Sequence, residues 1–401
     1  MTRGIGCGYG DTRNMKAIQA LFVNIVVPCF LLSTISAANI FGIGVYLDTP
    51  GSPPLSRQLE ATSNLVGQDG WIVLYICAWK HPGSSCVNRS TTHDPESSEM
   101  LNLAYSKGLN VVARIGNPYY VREHSDEGSN FTSYKELGKA YALLVDSLPL
   151  PRTKNGALYI QVGNEFNACN EWKCEGNTTT SMSTLEMAKE VGAFYRDVLA
   201  ALIPIRAKKN GRLLLGHGAI ASWTTSPCQC GTGRPLGRGQ LGLNFLKMMI
   251  GFYPNLYRNV DFLSSHSYPF SQTPYGTPKA MRGLVYYRNE SVVVGRPTLP
   301  VHITETGWRR GDITLTEQAE WMVKAFQKVW LLDKQLLSVC PFLLAGTFWD
   351  APHNRLAIHS MPPHSNHGGW TWVNSSTLDA FPVYESVKKL RERTSLFLDI
   401  F

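Results

Sequence analysis

The 401-residue chain is 44% hydrophobic and 17% charged, a balance that excludes a disordered or fibrous protein and leaves room for a large buried core. Its formal net charge is +8 at pH 7, with Lys and Arg spread along the chain instead of gathered in a run. With no basic stripe and no aromatic-basic motif, nucleic acid is excluded as a partner, and the charge reads as a solubility feature or a match to an acidic matrix.

In chain order, Arg3, Arg13 and Lys16 precede an apolar run, Ala17 to Leu32, and the small residues Ser33, Ser36, Ala37 and Ala38 follow. That order spells a signal peptide over residues 1–38, starting at Met1 or at Met15 and cleaved after Ala38. The expected product is a secreted, extracellular domain over 39–401. The alternative is an uncleaved signal anchor that tethers the chain to a membrane, but Asn24 and Pro28 interrupt an already short apolar run. No later segment is apolar enough to span, so no membrane contact is expected after cleavage. Five Asn-X-Ser/Thr sequons, at Asn88, Asn130, Asn177, Asn289 and Asn374, fit a glycosylated surface. Of nine cysteines, Cys7 and Cys29 lie in the signal region. Cys77/Cys86 and Cys169/Cys174 suit local loop disulfides, and Cys228-X-Cys230 is too tight for an easy bridge, so one of these two is expected to pair elsewhere, with Cys340 a candidate. No histidine stands at ligand spacing from them, and no metal is expected.

Beyond residue 38, short apolar runs alternate with longer amphipathic ones. The short runs are Phe41–Leu47, Trp71–Ala78, Asn110–Ile115, Ala157–Val162, Arg212–His217, Asp261–His266, Pro300–Thr304 and Phe342–Phe348. Near-continuous apolar character suits parallel strands buried on both faces. Helical patterns follow at Ser56–Val66, Pro95–Lys107, Thr132–Leu148, Ser183–Lys208, Leu241–Ile250, Pro278–Tyr287, Thr316–Leu332 and Tyr384–Arg393. Eight strand–helix units predict a single-domain α/β fold, a (β/α)8 TIM barrel. A doubly wound nucleotide binder would carry a Gly-rich turn after its first strand, and Tyr46-Leu47-Asp48-Thr49-Pro50-Gly51 is not one.

In such a barrel the chemistry stands at the C-terminal ends of the strands. Those ends carry Trp79 after strand two, Arg114 on strand three, Asn164-Glu165 after strand four and His217 on strand five. His266-Ser267-Tyr268 follow strand six, Glu305 strand seven and Trp349 strand eight. A single strand-end glutamate is as readily a salt-bridge partner as a catalyst. Two of them, after strands four and seven of an eight-stranded ring, face each other across the mouth. Glycoside cleavage needs such a pair, one carboxylic acid to protonate the leaving oxygen and one carboxylate on the other side of the anomeric carbon.

Val162-Gly163-Asn164-Glu165 and Ile303-Thr304-Glu305-Thr306-Gly307 resemble the signatures of clan GH-A, the retaining (β/α)8 glycosidases, and His266-Ser267-Tyr268 and Trp349 resemble its strand-six and strand-eight motifs. The resemblance implies Glu165 as general acid/base, protonated before cleavage and ionised afterwards, and Glu305 as nucleophile. It implies Asn164 on the sugar 2-hydroxyl, Tyr268 donating to Glu305, His266 lining the same subsite and Trp349 beneath the sugar ring. Arg114 is expected beside Glu305, its alternative being an ordinary structural ion pair; Trp79 and His217 are site-lining candidates whose alternative is plain packing. The implied activity is a secreted O-glycosyl hydrolase on a β-linked poly- or oligosaccharide, without cofactor. A transglycosylase using the same glutamates and a catalytically inactive carbohydrate-binding barrel are the alternatives. One departure stands out: many clan members have Pro after Asn-Glu, and this chain has Phe166.

Overall fold

The computed structural model describes residues 39–45, 53–76, 95–116, 133–168, 172, 184–222, 241–310, 313–345, 370–374 and 377–398. Contacts divide the chain into two compact units, Asn39–Glu392 and a second of Met1–Ala38 with Arg393–Phe401. Of the second, only residues 393–398, the end of the last helix, are described.

Eight parallel strands order the first unit: β1 (Gly42–Val45), β2 (Trp71–Ile76), β3 (Asn110–Ile115), β4 (Leu158–Val162), β5 (Leu213–His217), β6 (Leu263–His266), β7 (Val301–Glu305) and β8 (Leu336–Val339). β1 to β5 pair in sequence order, as do β6 to β8. Both seams are closed. At one, Phe41 and Val339 bridge in parallel, and the Val339 N–H donates to the Ile40 carbonyl at 2.8 Å. At the other, Ala221 bridges His266, and the Asp261 N–H donates to the Leu215 carbonyl at 2.7 Å. Closure leaves the ring no free edge, which makes it the (β/α)8 barrel expected from the strand count.

Alternation along the strands separates two cores. One set of side chains fills the barrel at the N-terminal ends of the strands: Trp71, Tyr159 and His302 pack edge to face, with ring centroids 4.8–5.1 Å apart. Val73, Val112 and Cys340 complete this plug. The other set faces the helices α1 (Leu55–Val66), α2 (Pro95–Ser106), α3 (Tyr134–Ser147), α4 (Thr184–Lys208), α5 (Leu241–Phe252), α6 (Pro278–Leu284), α7 (Tyr286–Val293), α8 (Leu315–Ala325) and α9 (Pro382–Leu398). Among the described residues, no helix is long and apolar enough to cross a membrane.

Several expectations change. The eighth strand is Leu336–Val339, ahead of the expected Phe342–Phe348, of which residues 346–348 lie outside the described residues. Pro341 has no N–H to extend a ladder, and Phe342–Ala345 instead runs irregularly along the seam, the Leu344 N–H donating to Gly44 at 2.9 Å. Helix α8 starts at Leu315, ahead of its amphipathic pattern, because Thr314 and Glu317 form a capping box, and it closes in a π-turn over Phe326–Trp330. The helical stretch after β6 is two helices, broken at Val285. Cys340 is a buried free thiol, so it does not pair with Cys228 or Cys230. Burial in the plug pushes it up to about 12. The other cysteines, the signal segment and the sequons at Asn88, Asn130 and Asn177 lie outside the described residues. Asn289 and Asn374 are exposed.

Candidate active site

Arg114, fifth residue of β3, shares its face with the interior Val112, and so enters the barrel above the aromatic plug. It is 1% exposed. Its Nη1 donates to Glu305 Oε1 at 2.6 Å, and its Nη2 reaches His266 Nε2 at 3.3 Å. Glu305 is the last residue of β7, where a register shift between Ser265 and His266 sets it opposite His266. Tyr268 OH donates to its second oxygen, Oε2, at 2.9 Å. Burial pulls the Glu305 carboxyl upward. The adjacent His266 and Arg114, with the hydrogen bonds from Arg114 and Tyr268, more than offset this and hold it below the usual carboxylate range.

Glu165 arrives from the opposite side of the ring. β4 ends at Val162, and the chain turns sharply through Gly163 (φ +79°) and Glu165 (φ +36°). A left-handed backbone at a glutamate is strained, and the surroundings hold it there. The Glu165 N–H donates to Ala219 at 2.9 Å, and its carbonyl accepts from Ala168 at 2.7 Å. Asn167 fastens the same turn to Ala221, its Oδ1 accepting from the Ala221 N–H at 2.8 Å and its Nδ2 donating to the carbonyl at 3.0 Å. Phe166 points away from the mouth into a cluster with Trp172, Phe194 and Tyr195, at centroid distances of 5.0, 5.4 and 5.7 Å. Its ring lies where a Cβ on residue 163 would sit, so only glycine fits there. The departure at 166 is therefore an aromatic anchor in place of a stiff proline.

The two carboxylates meet at His266, whose Nδ1 lies 2.6 Å from Glu165 Oε1 and 3.5 Å from Glu305 Oε2. One oxygen of each glutamate and a ring nitrogen of His266 all fall within 4.8 Å of one another, and all three residues are buried. His266 thus turns Nδ1 toward Glu165 and Nε2 toward Arg114, linking the two carboxylates to the guanidinium. Three such ligands could hold a metal ion by spacing alone. Arg114 already places a positive charge on Glu305 and against His266, which favours a carboxylate pair over a cation site.

The structure thus brings together Glu165, Glu305, His266, Tyr268 and Arg114 from β3, β4, β6 and β7. Asn164 stands half-buried beside Glu165. His217 does not join them. It packs between the helical layer's Tyr195 and Tyr257, at centroid distances of 5.9 and 4.5 Å, and burial lowers it to about 4. The last residue of β5 faces outward by strand alternation, so packing is its role. Trp79 and Trp349 lie outside the described residues. Sequence reasoning missed the fastening role of Asn167, and it missed Trp370, whose ring sits edge-on to Tyr268 at 5.1 Å. The Trp370-Thr371-Trp372 doublet directly after Gly368-Gly369 was the available signal.

No protein-family model matches the sequence, and no curated protein matches it. Solved structures do resemble it. A GH5_18 enzyme from Bifidobacterium longum subsp. infantis superposes with a TM-score of 0.56 at 14% identity, over 88% of this chain and 78% of that one. A GH5_18 from Streptomyces cattleya in complex with GlcNAc gives 0.54 at 15%, over 89% and 80%. A family 39 glycoside hydrolase from Bacteroides cellulosilyticus WH2 gives 0.54 at 13%, over 89% and 64%. These likenesses bear on the fold, and the chain is a (β/α)8 barrel built like those of glycoside hydrolase families 5 and 39.

Proposed function

We propose that the chain is a secreted, retaining glycoside hydrolase that cleaves a β-linked poly- or oligosaccharide by double displacement. The observation that carries the reading is the approach of the two carboxylates within 4.8 Å. Retention needs carboxyl groups about 5–5.5 Å apart, whereas inversion needs about 6.5–9.5 Å to admit a water between them and the sugar. Glu305, held ionised by Arg114 and Tyr268, attacks the anomeric carbon, and Glu165 gives its proton to the departing oxygen. Water then enters, Glu165 takes a proton from it, and the bond to Glu305 breaks with a second inversion. By the clan resemblance, Asn164, half-buried beside Glu165, takes the sugar 2-hydroxyl, and Trp349, which lies outside the described residues, takes the ring face. The fold-level neighbours add a direction for substrate: structures of the Streptomyces cattleya GH5_18 hold GlcNAc and, in a substituted form of that enzyme, Manβ1-4GlcNAc.

The test is covalent. A 2-deoxy-2-fluoro glycoside traps the glycosyl-enzyme, and peptide mapping is expected to find the sugar on Glu305; a label elsewhere removes Glu305 as nucleophile. Glu305→Gln and Glu165→Gln are each expected to lower kcat by about a thousandfold or more, and full turnover in either sinks the assignment. Product analysis on glucans, mannans, galactans and xylans, with and without an acceptor sugar, identifies the substrate and separates hydrolysis from transfer.

A further inference from the structure

His266 touches both glutamates, yet its strand is irregular where it matters. The β6–β7 ladder slips between Ser265 and His266, so backbone pairing alone does not fix this strand end. What braces it lies on its outer face. Residues on either side of an inward-pointing one point outward, and here both are serines. Ser265 Oγ donates to Glu290 Oε2 at 2.5 Å and lies 2.9 Å from Ser267 Oγ. Ser267 Oγ accepts the Tyr287 N–H at 3.2 Å, so the hydroxyls run in one sense, Ser267 to Ser265 to Glu290. The Ser267 carbonyl accepts from Thr306 Oγ1 at 2.7 Å, which ties the same brace to the residue after Glu305. Glu290, Ser265, Ser267 and Thr306 are all at most 1% exposed.

We propose that Glu290 is a positioning residue, a buried carboxylic acid on α7 that works in its neutral form. It terminates the Ser267–Ser265 hydroxyl chain and so fixes His266 between the two carboxylates. The chemistry demands neutrality. Among the described residues no cation pairs with Glu290: the groups facing it are the Ser265 hydroxyl from β6, the Tyr257 phenol from the turn after α5 and the Tyr286 phenol of its own helix. Lys247 of α5 and Arg282 of α6 are exposed, Lys279 is half-exposed, and Arg288 of α7 pairs with Asp333. An isolated carboxylate in such a place is costly, and burial pushes Glu290 up to about 8. Ionisation puts a charge behind β6 and strains the brace.

The role in catalysis rests on reading Glu165 and Glu305 as the reacting pair, so the test has one arm independent of turnover. Full-length protein labelled with nitrogen-15 histidine is followed by NMR from roughly pH 6 to 10, with His266 identified by its loss in His266→Gln. The wild-type His266 signals are expected to shift as pH rises through about 8, and those of Glu290→Gln are not. A wild-type signal flat through that range, or the same step in Glu290→Gln, overturns the proposal. Kinetics on any glycoside that the wild type cleaves form the second arm. Glu290→Gln keeps a neutral acceptor and is expected to retain kcat within about threefold at neutral pH while losing the alkaline fall; Ser267→Ala is expected to lower kcat about tenfold at near-constant KM. Wild-type kcat and an unmoved His266 signal in Ser267→Ala also overturn it. If the wild type cleaves no glycoside, the proposed function fails, and the NMR arm still decides on Glu290.

Discussion

Tyr268 and Arg114 divide the two oxygens of Glu305 between them, and that division sets how the carboxylate answers pH. Burial works to raise Glu305; His266, Arg114 and the hydroxyl of Tyr268 hold it low, so it stays ionised into mildly acid solution. Removing the 2.9 Å bond in Tyr268→Phe withdraws one stabiliser of the charged form. The Glu305 value then rises, and the acid-side loss of kcat/KM moves to higher pH, by about one unit, with kcat down about tenfold. Arg114→Lys is expected to move the limb in the same sense, because an ammonium cannot reach Glu305 and His266 together as the planar fork does at 2.6 and 3.3 Å. A pH–rate profile measured on each variant checks both, and an acid limb that stays put contradicts them. Tyr268 and Arg114 were expected beside Glu305 through the clan resemblance, Arg114 with an ordinary structural ion pair as its alternative, and both stand there, at 2.9 and 2.6 Å. His217 misled because its position at the end of β5 is right while its strand parity turns it outward.

The corner between β4 and the next segment shows what a single element contributes. Its left-handed Glu165 is held from below by Ala219, from the side by Asn167 and from behind by Phe166 in an aromatic cluster. Truncation to Phe166→Ala leaves a cavity among Trp172, Phe194 and Tyr195, at an expected cost of about 3–5 kcal/mol. The freed turn can then relax from its strained φ, so kcat falls as well, while KM for short substrates changes little. Chemical denaturation and steady-state kinetics on the same sample measure the two effects; a destabilised variant with full kcat shows that the cluster does not position Glu165. The sequence announced this corner only as a departure from proline. It could not announce β8, which has four residues and places Ser338 inward on His302 at 2.7 Å, whereas the neighbouring apolar run looks more like a strand and its described part, Phe342–Ala345, is irregular.

At the scale of the whole molecule, strand count, order and parallel pairing were legible, because buried parallel strands leave long apolar runs. The polar groups within those cores were not, since partners far apart in sequence decide whether a buried His or Glu is charged. Those groups give the fold a pH signature. His302 and His217 are buried and lowered to about 3 and about 4, so both stay neutral in the folded chain while the unfolded chain protonates them below about 6.5. The unfolded state binds more protons there, and stability falls as pH drops from about 6.5 toward these values. Glu290 acts on the other side. Its folded value of about 8 lies above the usual 4.5, so the folded state holds a proton that the unfolded state has released. Its stabilisation is full below about 4.5 and is lost as pH rises to about 8. Each group changes stability by about 1.4 kcal/mol per pH unit inside its window, an upper slope for any single site. Thermal melts from roughly pH 4 to 9 are therefore expected to show His217→Phe gaining on the wild type as the solution becomes more acid. Glu290→Gln is expected to gain between about pH 5 and 8 and then to keep a constant lead, because above its folded value both states have lost the proton. A lead for Glu290→Gln that does not grow across that window means the carboxyl is not held neutral in the fold, and the brace behind His266 then lacks its neutral anchor.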